Sequence, residues 1–270
     1  MKKIAFIITV YKNDKLEFFK QAIESMVNQD YGFENINIYL GIDGELPDEI
    51  HSYIDNSKDF YKVIQNEQNR GLAYTLNRLI EKLEGEEYIF RMDSDDVCKL
   101  DRVSKQVKVL EADKKLMLVG SELIEIDENG KELRYKKMPV SMDDIINYSI
   151  ARNPFNHPTV AIKKEFFEIV GLNNEQFLKS QDYELWARAL KKGIKMSNIS
   201  EPLLYFREID DFINKRNEDV NCINEFKVSI DLMNHFKMYG QFIKILAKLF
   251  IRKLPSSIGK IVYKRIRGDI

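Results

Sequence analysis

Three carboxylates fall within four residues at Asp93-Ser94-Asp95-Asp96, directly after the apolar run Tyr88-Ile89-Phe90. Like charges this close repel, and exposing them side by side is favourable chiefly when they share a cation. Donors that are all oxygen suit a hard ion such as Mg2+ or Mn2+. The same acids also suit a helix start, since Asp96 or Asp101 could cap a helix after Leu100. A further acid, Asp182, stands at the head of a helical segment in Ser180-Gln181-Asp182-Tyr183-Glu184-Leu185-Trp186, as an N-cap or as a general base. His157, in Asn156-His157-Pro158-Thr159, precedes an apolar strand and could ligate the metal, contact a substrate or serve the structure. In Asn69-Arg70-Gly71-Leu72 an arginine able to reach a phosphate or base adjoins a glycine that admits close backbone approach. A turn with a solvated arginine is the plainer alternative.

These side chains need elements to place them. Ile4 to Val10 is nearly all apolar and β-branched, as in a strand covered on both faces. Leu16, Phe19, Ala22, Ile23, Met26 and Val27 then recur at helical spacing, and Leu72, Leu76, Leu79, Ile80 and Leu83 repeat the pattern. Strands are predicted at Ile36 to Ile42, Tyr61 to Ile64 and Tyr88 to Phe90. This alternation implies parallel pairing with right-handed crossovers, and ligands of such sheets sit beyond the carboxyl ends of the strands. That rule selects Thr9-Val10-Tyr11, Asp43-Gly44 and the acidic cluster.

After a helix to Glu111 the order changes. Strands are expected at Leu116 to Val119 and Leu123 to Ile126, the latter turning through Asn129-Gly130 into Lys131 to Tyr135. A strand near Thr159 to Ile162, helices at 164–169 and 182–192, and short strands near 195 and 203 complete a mixed second part.

With 44% apolar and 31% charged residues, the 270-residue chain is globular rather than disordered. Two distant cysteines, Cys98 and Cys222, exclude a disulfide framework and a thiolate zinc site, and point to a reducing compartment. No GxGxxG and no GxxxxGK[ST] is present, so a nucleotide diphosphate would rely on a metal to neutralise it. The apolar run after Met1-Lys2-Lys3 stops at Lys12 without a small-residue cleavage site and reads as a buried strand.

Charge is unevenly spread. From Asn234 to Ile270 nine Lys/Arg meet one acid, a tail of +8 against −9 for the remainder. Phe242, Ile245, Leu246, Leu249 and Phe250 are expected on one helical face, opposite Lys237, Lys244, Lys248 and Arg252. After Pro255 the pattern resumes with Ile258, Ile261 and Val262 against Lys260, Lys264 and Arg267. A basic amphipathic tail of this kind is expected at an anionic membrane surface, with docking on the acidic body as the alternative and nucleic acid disfavoured.

In order and spacing, Thr9-Val10-Tyr11, Asp43, Asn69-Arg70-Gly71-Leu72-Ala73, Asp93-Ser94-Asp95-Asp96, His157-Pro158 and Gln181-Asp182-Tyr183-Glu184-Leu185-Trp186 resemble the inverting GT-A glycosyltransferases of family 2. The resemblance spans roughly residues 3–207. It implies an α/β fold, with a Rossmann-like nucleotide-binding sheet at 1–100, a mixed acceptor part at 101–215 and the amphipathic tail at 216–270. It also implies a UDP-sugar donor whose uracil and ribose meet Thr9, Tyr11 and Asp43, with Arg70 beside the nucleotide. Asp93 would contact ribose or donor sugar, Asp95 would ligate Mn2+ or Mg2+ with Asp93 and His157 as further candidates, and Asp182 would be the catalytic base. Two departures stand out: Ile42-Asp43-Gly44-Glu45 where the family often has Asp-Asp-Gly-Ser, and Gln181 where many members have Glu.

Asn153-Pro154-Phe155-Asn156-His157-Pro158 is similar to the segment found in bacterial enzymes that build O-antigen or capsule units on undecaprenyl diphosphate. The implied step is addition of glucose or galactose, in a β-1,3 linkage, on the cytoplasmic face of the bacterial membrane. A non-catalytic sugar-nucleotide scaffold is the alternative. A sugar-phosphate nucleotidyltransferase ranks lower, because Thr9-Val10-Tyr11-Lys12-Asn13-Asp14 lacks that class's glycine-rich loop.

Overall fold

A computed structural model of the chain describes residues 1–208 and 219–252. Strands β1 (Ile4–Val10), β2 (Ile36–Asp43), β3 (Phe60–Asn66) and β4 (Tyr88–Met92) pair in parallel in the order β3-β2-β1-β4. Helices α1 (Leu16–Val27), α2 (Asp48–Asn56) and α3 (Leu72–Glu81) make the crossovers. Successive strands are added on one side of β1 and then on the other, so the switch point lies between β1 and β4. The acidic cluster leaves the sheet there, where ligands of open sheets are bound.

β1 shows why the sheet is central. Ile4, Phe6 and Ile8 face a core formed with α1, α2 and helix α4 (Arg102–Ala112), while Ala5 and Ile7 face the opposite core. All five are essentially buried, and each large side chain so removed from water contributes roughly 1.5–3 kcal/mol.

Beyond β4 the sheet becomes mixed. β8 (Ala161–Lys163) runs antiparallel between β4 and β6 (Leu116–Ile126), and β9 (Lys195–Arg207) lies parallel to β6 on its other side. β7 (Glu132–Lys136) forms the expected hairpin on β6, with Gly130 at φ +82° in the turn, and the short β5 (Val97–Cys98) pairs with β9. The two short segments expected around 116–126 are one continuous strand, and so are those near 195 and 203. Polar residues in their middles looked like breaks. Register shifts at Ser121/Glu122 let the β6–β9 ladder continue, and Ser121 is satisfied by Thr159 and Asn156.

Helices α5 (Met142–Ser149), α6 (Glu165–Val170) and α7 (Gln181–Lys191) cover the second core, with α8 (Asp219–His235) and α9 (Phe242–Arg252) packed outside them. The sequence reading did not anticipate α2 or α5. Ser141 caps α5 by accepting from Asp144 N, a Ser-x-x-Asp signal that was available. The expected boundary at 215, and the second amphipathic segment after Pro255, lie outside the described residues.

Candidate active site

The ends of β1, β2 and β4 build one side of the site. Asp43 closes β2, and its carboxylate accepts from Asn66 Nδ2 at 2.9 Å, Arg70 N at 2.8 Å and Gly71 N at 2.9 Å. It therefore shapes the entry to α3. Gly71 at φ +89° starts that helix. Gly44, at φ +94°, lies so close to this loop that an added Cβ would stand 2.8 Å from Asn69 N. Arg70 is exposed and lies over the Tyr74 ring at 4.7 Å. Thr9 and Tyr11, both half-buried, end β1, and the Tyr11 N–H donates to Asp14 Oδ2 at 3.0 Å.

The acidic cluster forms a turn between β4 and β5, and burial alternates along it. Asp93 and Asp95 are half-buried towards the site, whereas Ser94 and Asp96 point inward and are buried. Asp96 accepts from Arg207 N at 2.9 Å, and neither it nor Asp101 caps α4 with its side chain. Arg207 also donates to the carbonyls of Asp95, Asp127 and Glu128 and to Gln21, which fixes the acidic loop against three other segments. Asp14 joins Asp93 and Asp95 and takes a hydrogen bond from Ser94. Burial, then the Asp93 and Asp14 charges, pushes Asp95 up to about 7; burial and Asp93 push Asp14 up to about 6.

Arg91 is the cation these acids share. It is 2% exposed on β4, ion-paired with Asp93, and its Nε has no hydrogen-bond partner among the described residues. Its charge acts on Asp14, Asp95, Asp96, His157 and Asp182 alike. Behind it the fully buried Arg102 donates to the Arg91 carbonyl at 2.9 Å and lies over Phe6 and Phe90. Sequence reasoning takes in Arg91 only as the first residue of the polar segment Arg91 to Asp96 and gives it no role, although a charge inside an otherwise apolar strand was a signal. Asp14, Arg102 and Arg207 carried none.

Asp182 is half-buried in the first turn of α7. Its Oδ2 accepts from Asn153 Nδ2 at 2.5 Å, and the Asn153 carbonyl oxygen accepts from Phe155 N at 3.2 Å, which settles which way the amide faces. Burial raises the Asp182 carboxyl above its ordinary range, against the Tyr183 N–H, the Asn153 amide and Arg91; Glu225 adds to the rise. A carboxylate so shifted takes up a proton more readily than an ordinary one, as a general base must. His157 begins a 3-10 turn (His157–Thr159) and meets Trp186 edge-on with centroids 6.3 Å apart. Burial, then Arg91, holds His157 neutral.

Asp93, Asp95 and His157 are not gathered as a ligand set. Among the described residues no group of three or more His, Cys, Asp or Glu side chains is arranged to hold a metal. The guanidinium beside His157 disfavours a second cation there. Asp93 and Asp95, with Asp14 adjacent, do suit a hard cation, because their mutual repulsion is what such an ion relieves.

The tail is two-sided. Ile245 is buried against the body and Lys248 is ion-paired with Glu225, whereas Tyr239, Phe242, Ile243, Leu246 and Phe250 are exposed. The expected apolar face is thus divided between body and solvent. No helix among the described residues is long and apolar enough to cross a membrane.

The family model described as Glycosyl transferase family 2 matches residues 5–171. The amylovoran biosynthesis glycosyltransferase AmsE of Erwinia amylovora is 28% identical over 266 residues, 97% of this chain and 98% of that protein. An Escherichia coli protein named UDP-Gal:alpha-D-GlcNAc-diphosphoundecaprenol beta-1,3-galactosyltransferase is 27% identical over 270 residues, covering 98% and 96%. Among solved structures, S. aureus TarS 1-349 in complex with UDP-GlcNAc superposes with a TM-score of 0.64 at 13% identity, over 95% of this chain and 82% of that one. The Pyrobaculum calidifontis mannosyltransferase PcManGT with GDP-Man and Mn2+ gives 0.62 at 16% identity, over 84% and 64%. These likenesses bear out the expected α/β GT-A architecture.

Proposed function

The chain belongs to glycosyl transferase family 2 and is a glycosyltransferase, and we propose that it moves a hexose from a UDP-sugar to an undecaprenyl-diphosphate-linked sugar with inversion at the anomeric carbon. The observation that supports this reading is the buried Arg91, ion-paired with Asp93, whose charge also acts to lower the carboxyls of both Asp95 and Asp182. On this reading, acids 87 positions apart in sequence serve one site.

The donor diphosphate lies over the β1–β4 switch point, with the nucleoside against Thr9, Tyr11, the Asp43-shaped loop and Arg70, and Asp93 turned to ribose or sugar. Asp95 and Asp93 would hold Mn2+ or Mg2+, which when bound supplies positive charge for the departing UDP. Asp182 takes the proton of an acceptor hydroxyl as that oxygen attacks C1 from the side opposite the diphosphate. The C1–O bond to the diphosphate breaks, UDP leaves, and an α-linked donor gives a β-linked product. Asn153 holds Oδ2 of Asp182 and so orients the carboxylate towards the acceptor.

The Escherichia coli relative's name supports galactose as the sugar and a β-1,3 linkage to a diphosphoundecaprenol-linked GlcNAc, and the name of AmsE supports a role in polysaccharide synthesis such as O-antigen or capsule assembly. The exposed stripe from Tyr239 to Phe250, with Lys237 and Lys244 beside it, supports peripheral attachment at the cytoplasmic face of the membrane, where such an acceptor resides.

The test is UDP release from UDP-glucose and UDP-galactose with a synthetic GlcNAc-diphospholipid acceptor, with and without Mn2+. Transfer by the wild type and its loss in Asp182→Asn, with UDP affinity retained, is the expected result. Full turnover by Asp182→Asn removes the mechanism.

A further inference from the structure

The C-terminal helices reach into the site. α8 packs on α7 and buries Val228, Leu232 and Met233 in the same core as Tyr183, Leu185 and Trp186. At the head of α7, Ser180 has φ +60°, an uncommon conformation for a residue with a Cβ. α8 holds it there: the Ser180 hydroxyl donates to Asn221 Oδ1 at 2.5 Å, and Asn224 Nδ2 donates to Lys179 O at 3.0 Å. One turn on, Glu225 pairs with Lys248 of α9, and the same Lys248 Nζ donates to the Ala151 carbonyl at 2.7 Å. Ala151 stands two residues before Asn153, whose amide grips Asp182. The two charged side chains are only 24% and 17% exposed, so they interact where water screens them poorly.

We propose that the Lys248–Glu225 pair is a positioning element of the catalytic centre, tying the Asn153 segment to the head of α7 and balancing the charge beside Asp182. The inference rests on Asp182 being the base. Among the described residues, the groups that act on that carboxylate include Arg91 from β4, Glu225 from α8, the Asn153 amide from its loop and the Tyr183 N–H from α7 itself. Lys248 on α9 is a counter-charge to Glu225. Its removal takes positive charge away from Glu225 and makes Asp182 harder to ionise; removal of Glu225 does the reverse.

The test is the pH dependence of kcat for the full chain, using UDP release with the GlcNAc-diphospholipid acceptor. Lys248→Met should move the acid limb to higher pH by about half a unit, and Glu225→Gln should move it to lower pH by a similar amount. The double variant should lie near the wild-type position, and Lys248→Arg should restore it. Thermal midpoints identify variants that merely unfold, and Glu225→Gln keeps the test available if Lys248→Met does not fold. Folded variants that lose kcat with no opposed movement of the limb overturn the proposal while leaving Asp182 as base, provided Asp182→Asn is inactive. An active Asp182→Asn overturns both.

Discussion

Asn153 donates its side-chain amide to Oδ2 of Asp182 at 2.5 Å, while its own carbonyl oxygen is occupied by the Phe155 N–H at 3.2 Å. The donor therefore cannot rotate away without losing a second bond, and one oxygen of the proposed base is committed before substrate arrives. A hydrogen bond to an ionised carboxylate favours the ionised form.

Asn153→Ala should accordingly raise the Asp182 carboxyl still further. The base works deprotonated, so activity falls as pH drops through its pKa, and a higher pKa moves that fall to higher pH. A charge-assisted bond contributes roughly 1.5–3 kcal/mol, so the acid limb of kcat should move up by about one to two units. A pH–rate profile that stays in place argues against the role.

Gly44 separates the end of β2 from the Asn69 backbone, and its φ of +94° adds a second penalty for any side chain. Gly44→Ala should weaken UDP binding at least about tenfold by displacing the loop from Asn69 to Gly71, at a stability cost of about 1–2 kcal/mol. Calorimetric titration with UDP and a thermal melt report the two effects.

Asp95→Ala should abolish the dependence of UDP affinity on Mn2+, because Asp95 is proposed to hold the ion that meets the diphosphate. Binding isotherms with and without Mn2+ should coincide in the variant and differ in the wild type. A wild-type response to Mn2+ retained by the variant would assign the ion elsewhere.

Deleting α9 is a poor test of membrane attachment, since Ile245 and Lys248 belong to the body. Replacing the exposed Phe242, Leu246 and Phe250 together by Ser leaves that packing alone. The triple variant should keep its melting temperature and lose flotation with anionic liposomes by about tenfold or more. Unchanged flotation would mean that this stripe serves another purpose.

Buried Arg207 fastens the acidic loop through Asp95 O and Asp96. Arg207→Met keeps the backbone N–H that serves Asp96 but takes the guanidinium from the carbonyls of Asp95, Asp127 and Glu128, and should cost on the order of 3 kcal/mol. Denaturant unfolding measures this directly.

Much of the nucleotide half was legible before any coordinates. β1 to β4 and α1 and α3 announce themselves because a strand covered on both faces must be continuously apolar and a helix on a sheet must carry a stripe at helical spacing. The switch-point rule then led to Thr9, Asp43 and the acidic cluster from order alone. Where it failed, polar residues were the cause. The segment around Ser121 and Glu122 falls between two expected strands, yet both residues are buried in mid-strand, because Thr159 and Asn156, 38 and 35 residues away, partner Ser121 and the Tyr135 hydroxyl partners Glu122.

What the amino-acid order determined by itself was the layering, the parallel half of the sheet and the chemical types at its edge, since these follow from local periodicity. Tertiary structure alone decided that Asp43 shapes a loop, that Asp96 faces inward, that His157 lies by Trp186 and Arg91 and not in a ligand set with Asp93 and Asp95, and that Lys248 reaches the segment holding Asp182. A carboxylate's role depends on which donors and charges surround it, and in a fold of this topology those come from strands and helices distant in the chain. Spacing records which groups are present, but only packing brings partners into contact.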